Sequence, residues 1–251
     1  MAHRIVGYLE RPELDDRWEE TVAPAWPEFL LHTAEVNARW SYLFERAGAF
    51  QFYAVDEGSD EVLGVANTVP FAWDGDADTL PDSIAGVLQR SMDDREAGVA
   101  PTTLCALQAI VTQGNQGRGL AGVILDAMRV LGAEHEFADL VAPVRPSWKA
   151  RYPLQDFERY VHWTREDGLP FDPWVRVHAR AGGELLKAAM GSQIVDGTVA
   201  EWEAWTGMAF PDSGDYVIPG ALVPLSIDVD ADHGRVTEPN YWMRHRLAAP
   251  A

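Results

Sequence analysis

The clearest chemical pattern in the chain is the glycine-rich stretch VTQGNQGRGLAGVILDAM at residues 111–128. Its four glycines are Gly114, Gly117, Gly119 and Gly122. Glycines let a backbone close around a ligand, and the start of a helix presents unpaired N–H groups at the positive end of its dipole. A tight strand-to-helix turn needs one or two glycines rather than four. The stretch therefore predicts a loop that binds phosphate groups.

Two familiar phosphate-binding patterns fit this stretch less well. No Gly-Lys-Ser/Thr sequence closes the loop, which argues against a Walker A site. The run GRGLAG at residues 117–122 does match the dinucleotide pattern G-x-G-x-x-G. That pattern, however, starts at the end of a strand and needs an acid at the end of the next one, whereas Asp139 precedes the next predicted strand. A dinucleotide-binding fold stays the less favoured alternative.

A third pattern fits better, because residues 116–121 resemble the Q/R-x-x-G-x-G/A motif of the GNAT acyltransferase superfamily. The resemblance covers roughly residues 50–152 and implies a loop that grips the pyrophosphate of acetyl-CoA. It assigns cofactor binding to Gln116, Gly117, Arg118, Gly119, Leu120 and Ala121. It also implies that the strand before the loop separates from the next strand to admit the pantetheine arm. The backbone groups of Ile110 and Val111 would then hydrogen-bond that arm.

The chemistry implied by the resemblance is attack of an amine on the thioester, with a base and an acid to move protons. Family members often carry an acid on the strand before the loop, but this chain has Gln108 there, so the base is unassigned. The slots where many members have asparagine and tyrosine hold Ser147 and Leu154. The nearby Tyr152 is the predicted general acid, because a phenol suits a thiolate leaving group. His178, which titrates near neutrality as a free imidazole, is the candidate base.

The acceptor side is predicted from aromatic content. Residues 145–178 are rich in proline and aromatic side chains and would form one wall of an acceptor pocket, with Trp148, Trp163 and Trp174 as its lining. Two functions follow. The first is an acyl-CoA-dependent N-acetyltransferase that acts on a small amine. The alternative is a non-catalytic member of the same fold that binds coenzyme A or a partner protein.

The elements that must position these residues follow from hydrophobic spacing. Residues 51–71 read as a hairpin, and TTLCALQAIVT and ADLVAPV read as strands covered on both faces, with a helix between them. Residues 174–190 read as a helix interrupted at the Gly182-Gly183 pair. The sequence predicts one mixed α/β domain with a GNAT-like acyl-CoA transferase fold over residues 1–251. Its core would span about 50–152, with a C-terminal extension over about 153–251.

Composition limits the partners. The chain has 251 residues and a formal net charge of −19, which disfavours nucleic acid and anionic membranes. No apolar run approaches the length of a signal peptide core or a bilayer span, so a cytoplasmic protein is expected, with a homodimer possible.

Cys105, the single cysteine, lies in an apolar run and is expected in the core. The run DVDADHG at 228–234 resembles a calcium loop, but His233 replaces its glycine, so a charged hairpin turn and no metal site is expected.

Overall fold

The structure is a computed structural model that describes residues 2–247. The β-strands of this part are β1 His3–Gly7, β2 Gln51–Asp56, β3 Val62–Phe71, β4 Thr103–Val111, β5 Asp139–Val144, β6 Glu184–Gly197, β7 Gly214–Tyr216, β8 Leu225–Asp228 and β9 His233–Arg246. Its α-helices are α1 Trp18–Thr21, α2 Ala34–Trp40, α3 Tyr42–Glu45, α4 Ile84–Glu96, α5 Leu120–Glu134, α6 Phe157–Val161, α7 Pro173–Arg180 and α8 Val199–Thr206. Short 3-10 helices lie at Pro12–Arg17, Ala23–Ala25, Glu28–His32, Gly48–Phe50, Ala77–Thr79 and Lys149–Arg151.

The nine strands form one mixed sheet. Its order is β1-β2-β3-β4-β5-β9-β8-β7, and β6 pairs with β9 outside this path. Every neighbouring pair is antiparallel except β4 and β5, which are parallel and are joined through α5. The predicted hairpin and the predicted strand-helix-strand unit are confirmed. Strand β9 lies between β5 and β8, so the C-terminal third of the chain extends the same sheet.

Both faces of the sheet are covered, as the apolar β4 sequence predicts. Leu104 and Ala106 of β4 pack toward α5, α6 and α7. Cys105 and Leu107 face the other way and pack with α2 and α4. Cys105 is fully buried, as expected, and burial raises the pKa of its thiol well above the usual range. The site described below lies where β4 separates these two layers.

Two parts of the C-terminal half differ from the sequence expectation. Residues 184–190, predicted as helix, are the first half of β6, because the long strand β9 offers them a hydrogen-bonded edge that outweighs helix propensity. Strand β9 itself was not predicted, since its residues lack a regular alternation of apolar and polar types. The charged run that begins at Asp228 is a turn between β8 and β9, as predicted.

The acid considered for a dinucleotide site has a structural role here. Asp139 begins β5 and accepts two hydrogen bonds from Arg244 of β9, at 2.7 Å from Nε and 2.8 Å from Nη2. The Arg244 guanidinium lies 5.1 Å from the Trp73 ring centre. The Asp139 carboxylate is therefore bound to Arg244 at the start of the strand. It is not placed to bind a ribose, which argues against the dinucleotide alternative. Among residues 2–247, no helix is long and apolar enough to span a membrane.

Candidate active site

Strands β4 and β5 separate at their carboxyl ends. In the described part of the chain their parallel ladder covers three residue pairs and ends at Cys105 with Val141. Strand β4 then runs on to Val111 and β5 to Val144 with no further pairing between them. The divergence predicted from the resemblance is present. It leaves a slot between two backbones that can each hydrogen-bond an inserted chain.

The two residues expected to bind the inserted arm face different ways. The N–H of Thr112 donates to the carbonyl of Leu63 in β3 at 3.0 Å. Because peptide groups alternate along a strand, Ile110 also directs its N–H and C=O toward β3, whereas Val111 directs them toward the slot. The position of Val111 fits the expected contact. The expectation for Ile110 is corrected, since β3 already uses its backbone.

The glycine-rich loop follows β4 and ends at α5. Gly114, Gly117 and Gly119 have φ values of 81°, 77° and 83°, a backbone region that L side chains rarely adopt. A Cβ placed on any of the three would meet no other protein atom within 4 Å. The glycines are thus required by backbone conformation, and the space in front of them is open to a ligand.

The loop is held from within by one buried amide. Asn115 is 6% exposed, and its Nδ2 donates to Thr112 Oγ1 at 3.1 Å. Its Oδ1 accepts a hydrogen bond from Arg118 Nη1 at 3.1 Å, which holds the guanidinium beside the exposed loop. Gly119 caps α5 without a side-chain hydrogen bond, so the first-turn N–H groups, including those of Leu120 and Ala121, keep their capacity to bind an anion. This arrangement fits a pyrophosphate, and Gln116 lies exposed at the start of the motif.

A β-bulge in β4 places two consecutive side chains on one face of the sheet. Thr68 of β3 pairs with Ala106 and Asn67 pairs with Gln108, so Leu107 is the extra residue. Leu107 and Gln108 both line a cavity on the face opposite α5. Gln108 is locked there, because its Nε2 donates to Asn67 Oδ1 at 2.9 Å and its Oε1 accepts from Trp26 Nε1 at 3.2 Å.

The cavity has a volume of about 330 Å³, which is near the lower limit for small-molecule pockets. Its aromatic wall consists of Trp18, Trp26 and Trp40, and its polar lining consists of Thr33, Asn37, Gln108 and Gln193. Within residues 2–247, no side chain that lines the cavity is ionisable. The expected lining by Trp148, Trp163 and Trp174 is corrected, because the N-terminal segment supplies the tryptophans. These residues were missed because their distance along the chain from the glycine motif conceals their proximity in space.

The segment that follows β5 is fixed by two buried groups. The Asp172 carboxylate accepts hydrogen bonds from the backbone N–H groups of Ser147 and Trp148, at 3.2 and 2.7 Å, and it caps α7. Lys149 is fully buried and donates to the carbonyls of Tyr152 and Leu222, at 2.9 and 2.7 Å. Burial lowers the pKa of this lysine. These hydrogen bonds hold the segment near both of its ends.

Tyr152 lies in this segment, eight residues beyond β5, within an aromatic cluster of Trp148, Tyr152, Tyr160, Trp163 and Phe171. Its ring centre is 5.3 Å from that of Trp163 and 5.9 Å from those of Tyr160 and Phe171. The residue is partly buried. Tyr152 thus lies in the segment that follows β5, and its role as general acid stays a prediction.

Comparison with known proteins identifies the fold. The arginine N-acetyltransferase avaD of Aspergillus versicolor is 29% identical over 256 residues, which cover 91% of this chain and 88% of that protein. The loading GNATL domain of CurA from Lyngbya majuscula has the same fold, with a TM-score of 0.61 at 13% identity over 98% of each chain. The chain has the GNAT fold and is similar to avaD over most of its length. The GNAT-like decarboxylase GphF, solved with isobutyryl-CoA, also shares the fold, with a TM-score of 0.56 at 15% identity over 99% of this chain and all of that one. No protein-family model matches the chain.

His178 occupies a different part of this GNAT fold from the slot. It is 1% exposed on α7, and its Nδ1 lies 2.9 Å from Nε2 of His245 in β9. His245 pairs with Leu140, at the end of β5 where β4 and β5 are still hydrogen-bonded. Burial lowers the pKa of His178 to about 3 and that of His245 to about 4. The expectation that His178 is the base is corrected, because the ring is enclosed between α7 and β9.

This histidine pair is expected to make the stability of the fold depend on pH. An unfolded histidine takes up a proton near pH 6.5, whereas both folded rings stay neutral to much lower pH. The unfolded chain therefore binds more protons below pH 6.5, and the free energy of unfolding should fall as the pH drops through that range. Each histidine should contribute a loss of about 2 kcal/mol by pH 5 and none above pH 7. Urea unfolding at a series of pH values measures this slope.

The variant His178→Gln isolates the contribution of the pair. It removes one of the two titrating rings, so the histidine part of the slope between pH 6.5 and 5 should fall by about half. His32→Gln, at an exposed histidine that lies 3.1 Å from Glu28, is the control and should leave most of the slope intact. An unchanged slope in His178→Gln would show that the buried pair does not control the pH response.

Proposed function

We propose that the chain is an acyl-CoA-dependent N-acyltransferase that moves an acetyl group from acetyl-CoA to a small amine. One observation carries this proposal. Strand β4 lies between the two halves of the site, because Leu107 and Gln108 line the cavity on one face and Thr112 leads into the glycine loop. An acyl donor held by the loop and the slot would bring its thioester to the strand that forms the floor of the cavity.

In the proposed reaction, the lone pair of the amine nitrogen attacks the thioester carbonyl carbon. A C–N bond forms, the C–S bond breaks, and the sulfur leaves as the thiolate of coenzyme A. The amine nitrogen loses one proton and the thiolate gains one. We assign the second transfer to Tyr152, whose phenol proton is matched to a thiolate leaving group. Since no lining side chain in the described residues is ionisable, water is the proposed acceptor of the amine proton.

The binding of acetyl-CoA is assigned to backbone groups more than to side chains. Gly117 and Gly119 let the loop approach the pyrophosphate, and the N–H groups at the start of α5 face it. Arg118 adds a charge-assisted hydrogen bond from its position beside Asn115. The peptide groups of Val111 pair with the pantetheine arm in the slot. Each of these groups binds and orients the donor.

Arginine is the first acceptor to test, because the relative avaD is named an arginine N-acetyltransferase. The purified chain is mixed with acetyl-CoA and a panel of amines that includes arginine, and free thiol is measured. We expect thiol release that depends on both substrates, with a singly acetylated product in mass spectrometry. If acetyl-CoA binds by calorimetry but no amine releases thiol, the result favours a non-catalytic coenzyme A-binding protein and contradicts the proposal.

A further inference from the structure

Gln193 lines the cavity and carries an unsatisfied side-chain oxygen. It lies in β6 opposite Glu238 of β9 and is 8% exposed. Its Oε1 is buried and has no hydrogen-bond partner among the described residues. An unpaired buried acceptor is destabilising, so its presence in a residue that lines a cavity points to a donor that arrives with a ligand.

The other polar residues of the cavity each make at least one hydrogen bond within the protein. Thr33 Oγ1 donates to the carbonyl of Leu30 at 2.9 Å, and Asn37 Nδ2 donates to that of Leu31 at 2.7 Å. Trp26 Nε1 donates to Gln108, and Gln108 Nε2 donates to Asn67. A free acceptor on the cavity lining favours a ligand that carries N–H groups.

The electrostatic environment favours a cation at this position. The indole rings of Trp18, Trp26 and Trp40 offer π faces, which attract cations, especially where water is excluded. No lysine, arginine or histidine within residues 2–247 lines the cavity to bind an anion. The net charge of −19 adds a favourable long-range potential for a positive ligand.

Among biological cations, a guanidinium fits this lining better than an ammonium. An ammonium is compact and strongly hydrated, so it needs several oxygen acceptors or a carboxylate to replace its water. A guanidinium is planar and weakly hydrated, stacks on aromatic rings and carries five N–H donors. Three indole rings and one free amide oxygen match the second group.

We propose that Gln193 determines acceptor specificity by accepting an N–H from a guanidinium group of the acceptor. The guanidinium lies against the indole wall, and Gln193 Oε1 orients it. This inference rests on the proposed function, because it treats the cavity as the acceptor site. To the proposed function it adds the chemical group of the acceptor that is recognised and the residue that recognises it.

The test compares arginine with citrulline and lysine, which carry the same α-amino group but end in a neutral urea and an ammonium. Thiol release with acetyl-CoA should give a KM for arginine at least about tenfold below those of the other two. The variant Gln193→Met should raise the arginine KM about tenfold and leave the KM for acetyl-CoA unchanged. Gln193→Glu keeps an acceptor in place and should retain or lower the arginine KM.

Ser192→Ala is the matched control. Ser192 precedes Gln193 in β6 and also carries a buried oxygen without a partner, but it does not line the cavity. Its removal should change neither KM. Equal use of the three amines, or an arginine KM that Gln193→Met leaves unchanged, would overturn the inference while the acyltransferase activity stands. The same would follow if Gln193→Glu raised the arginine KM as much as Gln193→Met.

Calorimetry separates this inference from the proposed function. If no amine releases thiol, the proposed function fails, but arginine can still be titrated into the chain directly. Binding that Gln193→Met weakens about tenfold, and that citrulline does not reproduce, supports guanidinium recognition by Gln193. Absence of arginine binding would overturn it.

Discussion

Replacing Gly119 with valine is expected to abolish the binding of acetyl-CoA. The residue has a φ of 83° at the N-cap of α5, where a β-branched side chain is strained by roughly 1–2 kcal/mol. Its new methyl groups would also occupy the open space in front of the loop, where the pyrophosphate is proposed to lie. We expect the dissociation constant, measured by calorimetry, to rise roughly 100-fold or more, since each tenfold step corresponds to about 1.4 kcal/mol.

Gly98 offers a matched control for this variant. It has a φ of 69° in the loop after α4, and a Cβ there would also meet nothing within 4 Å. Gly98→Val therefore imposes a similar backbone strain away from the proposed site. Circular dichroism should show both variants folded, with acetyl-CoA affinity retained only in Gly98→Val. Normal affinity in a folded Gly119→Val would remove the loop from the donor site.

Changing Tyr152 to phenylalanine is expected to lower kcat by about 100-fold or more, which is the usual effect of losing a positioned proton donor. The phenylalanine ring can keep the contacts with Trp163 and Phe171, so the melting temperature should change little. The affinity for acetyl-CoA should also be unchanged, because the proposed role concerns the departing thiolate. Turnover, donor affinity and melting temperature are measured on the same preparation.

Tyr160, in the same aromatic cluster, is the control, because its change to phenylalanine should affect stability and not turnover. Its hydroxyl is buried and donates to Asp172 at 2.9 Å, so Tyr160→Phe should lose about 1–2 kcal/mol of stability and keep its turnover. If Tyr152→Phe behaves like this control, or turns over at a near-normal rate, Tyr152 serves packing only. The thiolate would then take its proton from water.

The local parts of the fold were predictable because their signals are local. The hairpin over 51–71, the helix after the glycine loop and the parallel strands on either side each follow from apolar spacing over a few residues. The loop could be identified because its conformation demands glycine at fixed positions, which appear as letters in the sequence. The first half of strand β6 and all of strand β9 could not be predicted in this way, since each depends on a partner far along the chain.

By itself, the sequence determined a glycine-rich loop between a buried strand and a helix, in a pattern that resembles the GNAT superfamily. Only the tertiary structure decided which side chains meet at the other face of β4. The bulge at Leu107 directs Gln108 into the cavity, while Trp26 comes from the N-terminal segment and Gln193 from β6. The tertiary structure also placed His178 beside His245 in the interior of the protein. The physical reason is that loop conformation depends on neighbouring residues, whereas a pocket depends on strand order and register, which bring distant residues together.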